Sequence, residues 1–519
     1  MNWQPSRRRF VQAGLVAGAS AVLGSRHGRA GLTPRHANDL RIRKSALELP
    51  ADDPVFAQYA EAVKRMHQLP ETDARNWIRQ AKIHADHCVH GGLDFCPWHR
   101  HYLNQFEQIC GELIGDPSFA LPYWDWSFER GKIPDPFFDV DALNVVFWDD
   151  PGVYSPPNWP NINSRPIRAI GKGFGVQDDP VRGGAFISSR INQILRQTDF
   201  RRFSLQLEGT PHNSGHVVVG FPAQGRPGHI GSGLSPLDPL FWLHHCNVDR
   251  LWAQWQLAGN TTPTFDSEFN GQFVDRDGQP IDVRAQDSID FEALGYSYQQ
   301  FQDPREFLDL AGIANFEDNQ QPLLAALRLG GVEDQPRRVL GAVQPAEAVE
   351  IGVPNTFPVP VENLLAALNE TGPVRDVSLP NLAAMMMRDG RPEADELAQF
   401  GREIPARRRI LCALKGITSS FAIPPLVNVF VNCPYLSPST PFTDIHYADT
   451  FSFFQVFEHE GGHDHHADGQ NFLVDLTDAV EKVGLANLDQ IRVQLMPVTA
   501  ADQENPGSFS VDSIEIFSA

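Results

Sequence analysis

Basic residues, cysteines and long apolar runs are all scarce in this chain of 519 residues. Lys and Arg number 43 against 64 Asp and Glu, so the formal net charge is −21. A surface this acidic repels nucleic acid, and we exclude nucleic-acid binding as a function. The six cysteines show no paired framework typical of disulfide-rich secreted modules. No apolar run approaches the roughly 20 residues that a membrane-spanning helix requires, so no membrane association is expected.

The N-terminus predicts an export signal. Arg7 and Arg8 form a twin-arginine block that precedes a short, weakly apolar run. This pattern is typical of a Tat signal peptide, here over residues 1–30, although a disordered basic tail is an alternative. We therefore expect a periplasmic or secreted protein that meets the Tat translocase during export.

The remaining chain divides into a helical and a β-rich region. Helical periodicity dominates 54–115 and 187–257, and a loop region rich in Pro, Gly and Asn lies between them. After residue 336 several segments alternate as strands: VLGAVQ, AVEIGV, LVNVFVNCPY, DTFSFFQVF and QIRVQLMPV. Residues 361–415 are predicted to be helical or irregular. The predicted units are a central domain at 38–305, a linker at 306–335 and a C-terminal domain at 336–519.

Two histidine clusters stand out in the helical region. The first contains His84, His90 and His99, and His99 shares one helical face with Leu103, Phe106 and Cys110. His101 falls on the opposite face, where we predict a solvated side chain.

In the second cluster His212 and His216 are spaced to stack on one helical face. Helical phase favours His245 over His244 as the third, inward-facing member. A single His pair is often structural, but two triads in one chain predict a site for two metal ions, with copper, zinc and iron as candidates.

Around these histidines the chain resembles type-3 copper proteins of the tyrosinase and polyphenol oxidase family. The resemblance covers residues 41–300 and includes CPWHR, PYWDW, DPLFWLHHCNVDRLW and LGYSY, and it continues more weakly towards the C-terminus. It implies a mainly α central domain, in which a four-helix bundle holds a dinuclear copper site, followed by a β-rich, sandwich-like domain. Such a domain covers the copper site in latent plant enzymes. By resemblance, copper A is bound by His84, His90 and His99, and copper B by His212, His216 and His245.

The family oxidises o-diphenols to o-quinones with dioxygen, and its tyrosinases also hydroxylate monophenols. In hydroxylating relatives a Glu and an Asn position a water that deprotonates the phenol, and Glu208 and Asn213 match them. The alternatives are a first-turn charge for Glu208 and a cap or turn residue for Asn213. Small residues at the predicted substrate gate, Val217, Ser232 and Gly233, favour an open entrance.

Other residues near the clusters have more than one interpretation. The Cys-x-His spacing of Cys88 and His90 matches a thioether crosslink in some relatives, and a buried free thiol is the alternative. Cys246 is either a packed thiol or a site of oxidation. Asp125, Asp249 and Arg250 are candidates for supporting the ligands, or for a buried salt bridge.

A third histidine group follows the pattern H-E-x-x-H at His459, Glu460 and His463. Two glycines at its centre disfavour the helix that a zinc protease needs, so a structural or solvated His-rich loop is expected instead, with a surface copper-donor role as the alternative. The predicted function is therefore a tyrosinase acting on small phenols, with two copper ions as cofactors. The alternatives are a catechol or o-aminophenol oxidase without hydroxylase activity, and a haemocyanin-like oxygen binder. The oligomeric state is not predicted.

Overall fold

A computed structural model describes most of the chain beyond residue 39, with several gaps. The described residues are 40–144, 168–222, 228–258, 260–299, 337–369, 375–376, 403–404, 408–420, 424–453, 469–484, 489–500 and 507–519. The predicted export signal, the predicted linker and the H-E-x-x-H segment lie outside them. We call residues 40–299 the central domain and the described residues from 337 onward the C-terminal domain.

The central domain is mainly helical, as predicted. One π-helical turn, Glu208–His212, joins α6 to α7. The helices are α1 (Pro54–Gln68), α2 (Trp77–His87), α3 (Phe95–Ile114), α4 (Pro136–Asp139), α5 (Ser188–Leu195), α6 (Phe200–Leu207), α7 (Asn213–Gly220) and α8 (Leu240–Leu257). Within the described residues, no helix combines the length and apolar character that crossing a membrane requires.

Local signals set the ends of the helices that carry the histidines. Asn76 caps α2 by accepting a hydrogen bond from the backbone N–H of Ile78. At its other end, Cys88 is extended and its N–H donates to the His84 carbonyl, so the chain leaves the helix just before His90. Gly91 then takes a positive φ of 74°, which favours glycine, and the chain turns towards α3.

Short strands close the central domain. They are β1 (Arg41–Arg43), β2 (Phe273–Val274), β3 (Pro280–Ile281) and β4 (Tyr296–Tyr298). Because β1 pairs in parallel with β4, the two ends of the domain lie side by side.

The C-terminal domain is rich in strands. Its helices are α9 (Leu364–Asn369) and α10 (Thr477–Val483). Its strands are β5 (Arg338–Val343), β6 (Val349–Glu350), β7 (Asn355–Pro360), β8 (Arg375–Asp376), β9 (Glu403–Ile404), β10 (Ile410–Ser420), β11 (Leu426–Val431), β12 (Tyr447–Ser452), β13 (Gln470–Asp475), β14 (Gln490–Val498), β15 (Ser508–Ser510) and β16 (Ser513–Ser518). The helical or irregular prediction for 361–415 is correct at α9 and wrong at β8, β9 and the part of β10 that falls within this range.

The main sheets of this domain form a sandwich, which confirms the predicted architecture. One sheet has the order β12-β11-β14-β7, and the other β5-β16-β10-β15-β6, with β13 also paired to β10. Alternate residues of β11 face opposite sides, and both sides are buried. Val427 and Val429 pack in the core between the sheets, whereas Leu426 and Phe430 pack against the central domain.

Candidate metal centre

The structure brings the six predicted histidines into one buried region. In the first cluster the ring centroids of His84, His90 and His99 lie 5.4–5.7 Å apart. In the second, the centroids are separated by 4.7 Å for His212 and His216 and by 4.8 Å for His212 and His245. The two clusters meet directly, because His99 stacks on His245 with a centroid distance of 4.5 Å.

Backbone carbonyls fix three of these rings through Nδ1. His84 Nδ1 donates to the Gly233 carbonyl at 2.8 Å, His99 to Phe95 at 2.8 Å, and His216 to Ile230 at 2.6 Å. A carbonyl oxygen can only accept, so Nδ1 carries the proton in each ring. The lone pair is therefore left on Nε2, which is the arrangement of a metal-binding histidine with an oriented ring.

His212 is fixed differently. Its Nδ1 faces the side-chain oxygen of Asn213 at 2.9 Å, and the Asn213 amide nitrogen donates to the Ser452 carbonyl of β12 at 2.8 Å. Since the amide nitrogen is committed to Ser452, the oxygen accepts the proton of His212 Nδ1. The Nε2 atoms of His212 and His216 converge to 3.2 Å.

The electrostatics of the site keep the imidazoles neutral. Burial lowers the pKa of His84 to about 4 and holds those of four other rings well below the usual value: His99, His212, His216 and His245. Only a neutral imidazole can donate a lone pair to a metal, so these rings are ready to bind at neutral pH.

Buried nitrogens without hydrogen bonds indicate that the site fits metal ions. Within the described residues, His99 Nε2 and both ring nitrogens of His245 are buried without a hydrogen-bond partner. Leaving such atoms unsatisfied costs free energy, which a bound cation would recover. Potential ligand atoms of His84, His99 and His245 lie within 4.8 Å of one another. A cluster rich in imidazole suits copper, and the two groups of rings fit a dinuclear copper site.

His244 lies closer to the site than helical phase predicts. It belongs with His212, His216 and His245 to one group of potential ligands, and its ring centroid is 4.9 Å from that of His216. Every residue of α8 from Leu240 to Trp255 is buried. This helix therefore has no solvent face, and phase alone does not separate the two histidines. The choice of His245 as ligand stays a prediction.

The helical phase predicted a solvated His101, and the Cys-x-His spacing predicted a crosslink at Cys88. The prediction that His101 is solvated is wrong, since the side chain is buried and its Nε2 donates to the Arg284 carbonyl. Cys88 Sγ lies within 4.8 Å of ring nitrogens of His84 and His90, which places it within reach of the predicted crosslink. Burial raises the pKa of the Cys88 thiol, so the sulfur is protonated in the metal-free chain.

Glu208 links the two histidine clusters. Its Oε1 accepts a 2.6 Å hydrogen bond from the N–H of Gly91, next to His90, while the residue itself begins the turn that carries His212. Burial raises the pKa of Glu208 to about 8, against the opposing effect of the Gly91 N–H. Its Oε2 is buried without a hydrogen-bond partner in the described part of the chain. The carboxyl group can thus bind a water molecule and exchange a proton near neutral pH.

The predicted gate residues lie beside the site and are buried. Val217 follows His216 and is 2% exposed, and Ser232 is 4% exposed with its hydroxyl donating to the His229 carbonyl. Gly233 holds the ring of His84 through its carbonyl. The open entrance that these small residues suggested stays a prediction.

The candidates for ligand support form ion pairs, and their role in supporting the ligands stays a prediction. Asp249 accepts hydrogen bonds from Arg43 and Arg100 and from the hydroxyls of Tyr296 and Tyr298. Arg250 pairs with Asp125 at 3.0 Å.

Asn213 was predicted only as a water-positioning residue, and the sequence did not predict the groups that accept hydrogen bonds from the rings. They are the carbonyls of Phe95, Ile230 and Gly233 and the Asn213 side chain. A backbone carbonyl has no sequence signature, and only Asn213 could have been found from its position next to His212.

Comparison with known proteins gives matches over the same residues. Residues 58–258 match the family described as the common central domain of tyrosinase, and residues 265–306 match the polyphenol oxidase middle domain. A (+)-larreatricin hydroxylase from Larrea tridentata is 32% identical over 306 residues, which cover 52% of this chain and 51% of that protein. Catechol oxidase B from Solanum tuberosum is 30% identical, over 51% and 50% respectively. The chain thus spans about half the length of these relatives.

Solved structures match over both domains. A latent apple tyrosinase superposes with a TM-score of 0.58 at 21% identity, covering 94% of this chain and 99% of that one. A latent aurone synthase gives a TM-score of 0.57 at 19% identity, covering 94% and 91%. At these identities the likeness establishes the fold alone, including the sheet domain that follows the helical one.

Proposed function

This chain belongs, through residues 58–258, to the tyrosinase and polyphenol oxidase family, and we propose that it oxidises small phenols with dioxygen at two copper ions. Copper A is held by His84, His90 and His99, and copper B by His212, His216 and His245. The observation that carries this proposal is the convergence of neutral, oriented imidazoles in one buried region. When bound, the copper ions supply the electron transfer between the phenol and dioxygen.

The substrates include monophenols, and Glu208 with Asn213 makes hydroxylation possible. A free phenol has a pKa near 10, so it needs a proton acceptor at neutral pH. Glu208 Oε2 is the one buried carboxylate oxygen at the site that no described group engages, and a water held there can take the phenol proton. Asn213 directly follows the turn that Glu208 begins, and it orients His212. A catechol or o-aminophenol oxidase without hydroxylase activity, and an oxygen binder, are the alternatives.

Oxygen uptake by the copper-loaded protein, with tyrosine and L-DOPA measured side by side, tests this function. We expect uptake with both substrates. Uptake with L-DOPA alone would leave a diphenol oxidase. Absence of uptake with either, also after cleavage near residue 310, would contradict enzyme function and leave an oxygen carrier.

Glu208→Gln separates the two activities. We expect monophenol turnover to fall by about 10²–10⁴-fold, the usual contribution of a general base, and diphenol turnover to fall much less. Because both substrates use the same copper ions, diphenol turnover is the internal control. Equal losses on both substrates would contradict the water-positioning role.

The C-terminal domain keeps the enzyme latent. It packs directly on the turn that carries His212: a Cβ placed on Gly209 would come within 2.9 Å of the Phe472 ring. Cleavage in the predicted linker, or its loosening, is expected to raise turnover of L-DOPA. Unchanged turnover after complete cleavage and separation of the fragments would contradict latency.

A covalent crosslink and an export signal complete the proposal. Cys88 forms a thioether with a ring carbon of His90, and the thiol hydrogen and the ring hydrogen pass with two electrons to dioxygen, the proposed co-substrate. A tryptic peptide mass lower by two hydrogens tests the crosslink, and this mass difference should be absent in Cys88→Ser. Residues 1–30 direct export by the Tat translocase to the periplasm or the medium. Several relatives bear the word chloroplastic in their names, so they too are sorted to a compartment. Replacement of Arg7 and Arg8 by Lys should retain the protein in the cytoplasm; continued export would contradict the Tat route.

A further inference from the structure

We infer that the C-terminal domain is a positioning element of the histidine site, because its strand β12 holds the ring of His212 through Asn213. The inference deepens the proposed function, since it assigns a second role to the domain that covers the site. It does not require copper or phenol oxidation, and it is tested without either.

The first observation is the hydrogen-bond chain between the two domains. The Ser452 carbonyl accepts the Asn213 amide at 2.8 Å, and the Asn213 oxygen accepts the His212 Nδ1 proton at 2.9 Å. An amide bound at both ends cannot rotate freely, so the carbonyl of β12 determines which atom Asn213 presents to the ring.

The second observation is that the other carbonyl contacts stay inside the central domain. His84, His99 and His216 are held by Gly233, Phe95 and Ile230. Of the four rings with a described Nδ1 contact, His212 is therefore the one whose orientation depends on the C-terminal domain. This asymmetry provides internal controls for any measurement on His212.

The third observation is the position of β12 in its sheet. It is the last strand in the order β12-β11-β14-β7, so one of its backbone edges faces away from β11. Two of its carbonyls, those of Ala448 and Ser452, face the central domain, and the pairing with β11 shifts register next to Ala448. Arg190 of α5 donates to the first, and Asn213 donates to the second.

The central domain thus covers this strand edge with side-chain donors. Arg190 also pairs with Asp449 at 3.1 Å and is 5% exposed. Docking of β12 and orientation of His212 are coupled, and coupling between two sites is reciprocal. Loosening the domain should free His212, and altering Asn213 should loosen the domain.

The test uses the full-length, metal-free chain labelled with ¹⁵N in its histidine rings. Arg190→Gln removes a contact remote from the histidines. We expect the His212 Nδ1 proton to exchange with solvent on the order of tenfold faster, because one hydrogen bond in its support is weakened. The Nδ1 protons of His99 and His216 should keep their exchange rates. Faster backbone exchange across β12 with an unchanged His212 proton would overturn the inference.

A second route to undocking guards against a folding defect in Arg190→Gln. Gly209→Ala places a methyl group against the ring of Phe472. Adding Phe472→Leu replaces that ring with a smaller side chain and relieves the clash. The single variant should accelerate exchange of the His212 proton, and the double variant should restore it. If the His212 proton exchanges fast in both the single and the double variant while the backbone amides of β12 stay protected from exchange, the coupling is contradicted.

The reciprocal arm alters the site and measures the domain. Asn213→Asp keeps an oxygen for His212 but removes the donor to Ser452. We expect backbone amides of β12 to exchange on the order of tenfold faster. Asn247→Asp is the matched control, because Asn247 is buried in α8 and its oxygen bonds Arg250 within the central domain. Equal exchange of β12 in both variants would overturn the inference even if neither undocking variant folds.

Discussion

Both domains have an apolar core, and they differ in the charged side chains that they bury. The central domain encloses the histidines and an ion network in which Arg43, Arg100, Glu107 and Asp249 are all buried. The core between the sheets of the C-terminal domain is built from Val, Leu, Ile, Phe, Ala and one Cys. A charged core is costly unless every charge is paired, whereas an apolar core needs only good packing.

The difference in buried charge indicates a different role for the core of each domain. The ion network fixes α3 and α8, the helices of His99 and His245, against β1 and β4, so polar burial coincides with the site. Among the described residues of the C-terminal domain, the buried carboxylates are Asp449, which pairs with Arg190 of the central domain, and Asp475, which pairs with Arg409 and lies near Arg190 as well. The apolar core of this domain stabilises the sandwich itself, and the pair of Asp449 with Arg190 aligns the sandwich on the central domain.

The strongest way to break this contrast is to remove one charge from the network. Asp249→Asn leaves Arg43 and Arg100 buried with one carboxylate fewer, and we expect a loss of about 3–5 kcal/mol in the free energy of unfolding. All ten tryptophans lie within the first 255 residues, so tryptophan fluorescence during urea unfolding follows the central domain.

The matched control is Asp287→Asn. Asp287 pairs with Arg284, but the two side chains are 47% and 53% exposed. Exposed pairs contribute about 0–1 kcal/mol. Similar losses in both variants would show that the buried network adds no more than a surface pair.

A cavity in the sheet domain is the next largest change. Ile514 of β16 is fully buried between the sheets, and Ile514→Ala should cost about 2–5 kcal/mol. In this variant we expect the β-sheet signal in circular dichroism to be lost at a lower urea concentration than in the wild type. The urea midpoint of the tryptophan fluorescence transition should shift less. Val339→Ala, at a residue 55% exposed on the paired strand β5, is the control. Coincident shifts of both probes would mean that the domains unfold as one unit.

How far the sequence predicts the site depends on how many sides of each helix are covered. The inward position of His99 follows from the periodicity of α3. The burial of His101 does not, because the Arg284 carbonyl and the rings of Phe269 and Phe273 that cover it come from a distant part of the chain. In α8 the same periodicity fails to separate His244 from His245, since the helix is surrounded.

The fold was predictable where strands keep their alternation. β11 and β14 lie where the pattern predicts them, but β10 was missed because its buried residues change phase. Ile410, Cys412 and Leu414 face the core between the sheets at even positions, and Ile417 faces it at an odd one, while Leu411 is buried in a separate cluster. The register shifts between Leu414 and Ile417, next to Gly416 with a φ of 61°, so no single period describes the strand.

The smallest expected effect is the change in the stability of each domain with pH. In the metal-free central domain, burial lowers the pKa of His84 to about 4 and of His244 to about 3. The unfolded chain takes up these protons below about pH 6.5, whereas the folded domain does not. The stability of the central domain should therefore fall as the pH is lowered from 7 towards 4.

Asp449 responds in the opposite direction. Burial raises its pKa to about 6, although Arg190 and the N–H groups of Asp475 and Thr450 oppose this. The charged groups around it are Arg190 on α5, Asp475 on β13, Asp478 on α10 and Arg409, which pairs with Asp475, and Tyr447 is the neighbouring phenol. The folded state binds the Asp449 proton more tightly than the unfolded state, so its cost is fully present above pH 6 and is relieved as the pH falls towards 4.

Asp449→Asn should abolish this contribution while keeping a side-chain oxygen beside Arg190. Between pH 7 and pH 4.5 we expect the wild-type sheet domain, followed by circular dichroism, to gain on the order of 1–3 kcal/mol relative to the variant. The tryptophan transition should weaken with acid equally in both proteins, because the histidines are unchanged. If the stability measured by circular dichroism varies with pH in the same way in the wild type and in Asp449→Asn, Asp449 is not the group that titrates. The difference between the two domains in their response to acid would then come from other residues.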